Sequence, residues 1–274
     1  MNSRRSFLRK AALGGAAVAA APAITKAQAT ITWRFQTYAG AALGEHVTKP
    51  IVDYINTAAK GEMEVELYYA DQIVRTGELF QALPFQPKVI AAVTDLIGSP
   101  ACRILDQLFY KPPRIGGPTN WHTDNAYFRI SDPLKGTAMW IALHDASREN
   151  GTLKVIPRQF HIKHPHDRDP DSDHHIRMKA DDDDAVHCEL KAGGVVFFCY
   201  GTPHATGANI TDEARCGVGI HFLNTDIGPD HLTQGSRSKG NVHITGPLAD
   251  DGISEFGRSM RGVWHEEVAR LSAM

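Results

Sequence analysis

Between residues 103 and 223 the chain breaks into eight runs of five to nine residues: 103–110, 120–128, 137–144, 151–156, 186–190, 195–200, 204–209 and 216–223. Each alternates with period two and is rich in β-branched or aromatic residues, the signature of short strands with one buried face. Turn formers separate them, among them Lys111-Pro112-Pro113, Gly116-Gly117-Pro118, Glu149-Asn150-Gly151 and Ala192-Gly193-Gly194. The expected fold is mainly β, a jelly-roll sandwich whose mouth can hold a metal between its sheets. From residue 84 onwards, helical periodicity is confined to flanking stretches, 86–97 before the sheet and 254–271 at the end.

Within the second run lies Trp121-His122-Thr123-Asp124-Asn125, answered by His204 and, eleven residues later, by Arg215. On a strand, His122 and Asp124 leave the same face, so a ligand from a neighbouring strand can complete a metal site. Two imidazoles and one carboxylate on one side of a metal leave the other side open, the arrangement of non-haem iron(II) oxygenases. The competing reading, hydrogen-bonded histidines and a turn aspartate, explains each residue singly but not the constellation.

Composition narrows the class. With 274 residues, 42% hydrophobic content and a net charge of -2, the chain can bury a core and has no electrostatic footprint for nucleic acid. Cys102, Cys188, Cys199 and Cys216 lack CxxC spacing and sit in apolar strand-like stretches, which predicts buried thiols rather than a zinc site. The N-terminus carries a twin-arginine pattern, Ser3-Arg4-Arg5-Ser6-Phe7-Leu8, then an Ala/Gly-rich apolar stretch and the small-x-small site Ala27-Gln28-Ala29. Residues 1–29 are therefore expected to be a cleaved leader read by the twin-arginine export machinery. Thr30 becomes the first mature residue, no stable membrane span remains, and the location is periplasmic if the leader is used, cytoplasmic otherwise.

Residues 30–84 follow a different grammar. Strand patterns at 31–35 and 63–69 flank an amphipathic helix at 46–60, and Thr76-Gly77-Glu78-Leu79 opens another helix. With the leader, the phrases Trp33-Arg34-Phe35, Leu43-Gly44 and Ala70-Asp71-Gln72-Ile73-Val74 resemble the start of the periplasmic solute-binding proteins of TRAP transporters. That resemblance implies a partial α/β segment and supplies no ligand-binding residue.

Residues 85–274 resemble the phytanoyl-CoA dioxygenase family. The resemblance rests on Asp106-Gln107 through Lys111-Pro112-Pro113, on Trp121 through Phe128, on Asn150-Gly151 through Pro157, on Gly193 through Phe198, and on His204 through Asn209 to Arg215. It implies a double-stranded β-helix and an enzyme using iron(II), 2-oxoglutarate and dioxygen to hydroxylate a C–H bond of a small-molecule substrate, releasing succinate and carbon dioxide. His122, Asp124 and His204 match the iron ligands, and Arg215 the partner of the cosubstrate's distal carboxylate. A planar bidentate donor suits that role better than a lysine. Thr206, on the face of His204 by alternation, offers its hydroxyl to the same carboxylate. Gln107 and Trp140 are placed beside the cosubstrate by the family pattern. Asp124 also favours hydroxylation, because halogenating relatives replace this carboxylate by a small residue. Lys111, Asn125 and Tyr127 are candidates to face the substrate. The His161-His164-His166 stretch with His174-His175 is expected to form a lid rather than a second metal site, and Asp181 to Asp184 a solvated turn rather than a calcium loop. The alternative functions are a solute-binding fragment of a TRAP transporter and a metal-binding jelly roll without catalysis.

Overall fold

The computed structural model describes residues 31–36, 48–60, 63–68, 78–170, 175–227 and 242–273. The leader, Leu43-Gly44, Ala70 to Val74 and His174 lie outside the described residues. The N-terminal part is a β-α-β unit: β1 (Ile31–Gln36), α1 (Lys49–Ala58) and β2 (Met63–Tyr68), with β1 and β2 parallel. Asn56 of α1 clamps β2 by donating to the Val65 carbonyl and accepting from the Val65 amide. Neither strand joins the larger sheets. The helical region continues as α2 (Glu78–Ala82), a turn at Leu83–Phe85, and α3 (Pro87–Ile97). α3 starts with Pro87, whose missing N–H costs nothing in a first turn, and stops at Gly98, whose φ of 81° closes the helix.

Two antiparallel sheets follow. The first contains β3 (Ala101–Lys111), β5 (Gly136–Ala142), β10 (Val195–Cys199), β12 (Arg215–Asn224) and β13 (Val242–Thr245) in the order β10-β5-β12-β3-β13. The second contains β4 (Thr119–His122), β6 (Leu153–Val155), β9 (Val186–His187) and β11 (His204–Thr206) in the order β4-β11-β6-β9. A two-strand ladder, β7 (Asp167–Arg168) and β8 (Ile176–Arg177), lies between β6 and β9 in the chain. This is the expected double-stranded β-helix.

Alternation along β12 explains how the first sheet serves two masters. Val218, Ile220 and Phe222, with Met139 and Ile141 of β5, pack against Val93 and Ile97 of α3, Phe85 and Met260. Burying one such side chain fully contributes on the order of 2 kcal/mol. The other face carries Arg215, Gly217, Gly219 and His221, and looks toward the second sheet. Both glycines are there for room: a Cβ at Gly217 would meet the Trp140 ring at 2.8 Å, and one at Gly219 the Phe109 ring at 2.8 Å.

Several expected elements come out differently. The run 120–128 is not one strand: β4 ends at His122, and α4 (Asn125–Phe128) is a helical turn in which the Asp124 carbonyl accepts from the Tyr127 and Phe128 amides. The Asn125 side chain then caps Ile130, and Arg129 takes a left-handed conformation. The helix expected over 254–271 is two, α5 (Ile253–Phe256) and α6 (Val263–Ser272), separated because Gly257 and Gly262 adopt φ of 73° and 87°. β13 was not expected; its four residues, Val-His-Ile-Thr, are too short a signal on their own. Cys102 is buried and the other three cysteines partly so, all as free thiols.

Candidate metal centre and cosubstrate pocket

β4 and β11 are neighbours, and their antiparallel register sets His122 directly opposite His204, with ring centroids 4.2 Å apart. Asp124 reaches the same point by a route the strand pattern does not describe. It sits in αR conformation at the mouth of α4, and its side chain caps no helix amide, so the carboxylate is free to turn toward the two rings. One ligand atom from each of His122, Asp124 and His204 lies within 4.8 Å of the others, and His204 Nε2 stands 3.7 Å from Asp124 Oδ1. Metal bonds of about 2.0–2.2 Å need donor atoms roughly 3–4 Å apart, so a small inward shift completes the set.

The backbone chooses the tautomer. His122 Nδ1 lies 2.8 Å from the Asn120 carbonyl and His204 Nδ1 lies 3.0 Å from the Thr202 carbonyl, in each case two residues back. A carbonyl can only accept, so both Nδ1 atoms carry the proton and both Nε2 lone pairs are left for a metal. Asp124 Oδ2, buried, has no hydrogen-bond partner. Two neutral imidazoles, one hard carboxylate and an open far side fit iron(II).

Burial, reinforced by the His204 ring, pushes His122 down to about 3, and burial pushes His204 down to about 4. Both rings are therefore neutral ligands at physiological pH. Unfolded histidine titrates near 6.5, so between about 4 and 6.5 the unfolded chain binds more protons than the folded one. The metal-free protein is expected to lose stability as pH falls through that window and to gain nothing from these groups above it. Urea midpoints for the metal-free protein at pH 7 and pH 5 check this; equal midpoints would contradict the buried neutral pair.

The site opens into a cavity of about 660 Å³ between the sheets, lined by His122, Asp124 and His204 and by every other predicted cosubstrate residue: Arg215, Thr206, Gln107 and Trp140. Arg215, 0% exposed, begins β12 and donates Nη2 to the Gly151 carbonyl, which the left-handed turn at Gly151 aims inward. Its Nε and Nη1 are buried without a hydrogen-bond partner, and its guanidinium carbon lies 5.6 Å from the Trp140 ring centre. Burial pulls it down to about 10, so it stays charged. Lys111 shares the pocket and is lowered to about 8, first by burial and then by the Arg215 charge. A buried cation with free donors and a second cation beside it fit an incoming carboxylate, because such a charge is costly to leave unpaired. Thr206 lines the cavity while its hydroxyl oxygen accepts from the Thr119 amide, leaving its proton to donate. Asn209, fully buried, holds this end together: its amide donates to the carbonyls of Lys111, Pro112 and Glu213.

Tyr127 lines the cavity, whereas Asn125 does not and instead holds Ile130. Residues within 157–170 and 175–185 contact the motif strand and the helical turn after it. The Thr123 amide donates to His166, Asn120 to Asp169 and the Met178 amide to the Trp121 carbonyl, and the Ile176 amide donates to the Tyr127 hydroxyl. His175 and Ile176 thereby become part of the cavity wall. Asp182, in a one-turn helix, accepts from Trp121 and from Lys154 rather than standing free. His221 also lines the cavity and was not among the expected site residues; the alternation Arg215, Gly217, Gly219, His221 was the available signal.

Fold and site together define a double-stranded β-helix protein with a His122–Asp124–His204 set that could hold one metal ion. The chain belongs to the phytanoyl-CoA dioxygenase family (PhyH), which it matches over residues 41–217. It is 29% identical to a probable phytanoyl-CoA dioxygenase of Caenorhabditis elegans, over 52% of this chain and 49% of the relative. It is 32% identical to phytanoyl-CoA dioxygenase domain-containing protein 1 of Danio rerio, over 57% of each. The chain spans about half the length of these curated relatives. The fold is similar to that of the non-heme monooxygenase ThoJ in its apo form, with TM-score 0.52, 22% identity, and 70% and 77% of the two chains covered. It is also similar to EctD from S. alaskensis in its apoform, with TM-score 0.50, 17% identity and 65% of each chain covered.

Proposed function

We propose that the protein is an iron(II)- and 2-oxoglutarate-dependent dioxygenase that hydroxylates a C–H bond of a small organic or acyl substrate, with release of succinate and carbon dioxide. The observation that carries this is one cavity holding both a convergent His122–Asp124–His204 set and a buried arginine with unused donors. Iron(II), when bound with the keto acid, supplies the activation of dioxygen. The chain's own residues do the rest. His122, Asp124 and His204 would hold the metal, and Arg215 and Lys111 would receive the distal carboxylate, with the Thr206 hydroxyl able to donate to it. Trp140 stands beside the guanidinium, and Gln107 lines the same cavity, where it could meet the cosubstrate. Leu105, Phe109, Phe128 and Ile176 form an apolar wall that excludes water and holds a carbon substrate.

A metal-binding jelly roll without catalysis would use the same three ligands but leave Arg215 idle, and the free Nε and Nη1 favour the dioxygenase. The family match reaches back to residue 41, inside the segment whose sequence reads as resembling a solute-binding protein, so the enzyme reading covers part of it as well. We assign residues 1–29 to an export leader, 30–84 to the partial α/β segment and 85–274 to the jelly roll, with a periplasmic location for the processed protein. Anaerobic addition of iron(II) and then 2-oxoglutarate is expected to produce the weak visible charge-transfer band of the chelate. Iron binding with no band on adding the keto acid would instead support the non-catalytic jelly roll.

A further inference from the structure

Behind the metal-facing side of Asp124 lies a small group of polar atoms with no assigned work. Asp124 Oδ2, His221 Nδ1 and the Tyr200 hydroxyl are all buried, and none has a hydrogen-bond partner. Orphaned buried groups of this kind are rare and costly. Two of them face each other: His221 Nδ1 is 3.8 Å from Asp124 Oδ2, while the other carboxylate oxygen, Oδ1, is the one beside His204 Nε2. His221 is held in place by the Phe128 ring at 5.2 Å and the Tyr200 ring at 5.7 Å, measured between centroids. It does not belong to the set of side chains whose ligand atoms share a common point.

We infer that His221 is a positioning residue for the metal carboxylate: its Nδ1–H holds Asp124 Oδ2, so that Oδ1 alone faces the metal. From 3.8 Å, a hydrogen bond of about 2.9 Å requires the two groups to close by less than an ångström. The consequence is chemical. A carboxylate gripping the metal through both oxygens takes two coordination positions, whereas one anchored through Oδ2 takes one and leaves three for the bidentate keto acid and dioxygen. Outer-shell donors of this sort fix ligand orientation and tune affinity. The inference rests on the metal site proposed above.

The test is titration of the metal-free protein with Co(II), read by visible absorption, for wild type, His221→Leu and His221→Asn. Leucine keeps the volume without a donor; the asparagine amide nitrogen falls near the position of Nδ1. His221→Leu is expected to weaken Co(II) binding by roughly 10–100-fold and to alter the band intensity that reports coordination number. His221→Asn should stay within a few-fold of wild type. If wild type binds no Co(II), the metal centre itself is wrong. If wild type binds and His221→Leu matches it in affinity and spectrum, only the role of His221 fails. Equal losses in both variants with equal drops in Tm would show a packing residue and also overturn the inference. Nitrogen-15 histidine spectra of the Zn(II)-loaded wild type need no variant to fold: a protonated Nδ1 on His221 supports the assignment, an unprotonated one refutes it.

Discussion

Arg215→Ala is expected to abolish 2-oxoglutarate binding while leaving metal affinity unchanged. The guanidinium is sealed between the sheets, uses one nitrogen on the Gly151 carbonyl and keeps two others for a ligand. Because Arg215 is fully buried, a charge-assisted pair formed there is little screened by solvent. Truncating one partner of such a pair costs about 3 kcal/mol or more, a rise in Kd of over a hundredfold. Arg215→Lys should recover little, since an ammonium cannot present a fork or lie against the Trp140 ring as the guanidinium does. Calorimetric titration of 2-oxoglutarate into the Zn(II)-loaded variants measures this. An unchanged Kd would reduce Arg215 to a structural tie for the Gly151 turn.

Asp124→Asn should move metal affinity and metal-free stability in opposite directions. The substitution removes the sole carboxylate of the proposed ligand set, so divalent-metal binding is expected to weaken by more than the roughly 10–100-fold that loss of an outer-shell partner costs. In the metal-free protein the same carboxylate is 6% exposed, with an oxygen that no donor satisfies, beside two imidazoles kept neutral by burial. Replacing a buried charge by an amide relieves that desolvation cost, so Tm should rise by roughly 2–4 °C for about each kcal/mol regained. Thermal melts with and without chelator test both arms. A metal-free Asp124→Asn protein less stable than wild type would mean that Asp124 serves the fold rather than a ligand.

Most of the alternating runs were legible because period two is a local signal: Val218, Ile220 and Phe222 say strand whatever the neighbours are, although β5 and β12 prove buried on both faces and the run 120–128 breaks after His122. The identities of His122, Asp124, His204 and Arg215 were legible for a related reason, since few residue types hold a hard divalent metal or a dicarboxylate. Glycines at 257 and 262 also carried a signal that the pattern of the last helix obscured, because conformational freedom at single positions outweighs periodicity.

How those residues meet was settled elsewhere. The HxD spacing suggested two side chains on one strand face, yet Asp124 arrives from a helical turn, and that turn exists because Asn125 and the Asp124 carbonyl close it against Ile130, Tyr127 and Phe128. No local pattern contains the register that sets His122 opposite His204, or the carbonyls of Asn120 and Thr202 that choose their tautomers. The work of His221 was equally hidden, since its orphaned Nδ1 acquires meaning only from Asp124 Oδ2, 97 positions away in sequence and 3.8 Å away in space. Sequence by itself determined which side chains face inward and what they can bind. Only the tertiary structure decided which inward-facing atoms share a point, because the energy that brings them there, sheet pairing and burial between distant strands, belongs to pairs of segments and not to any one of them.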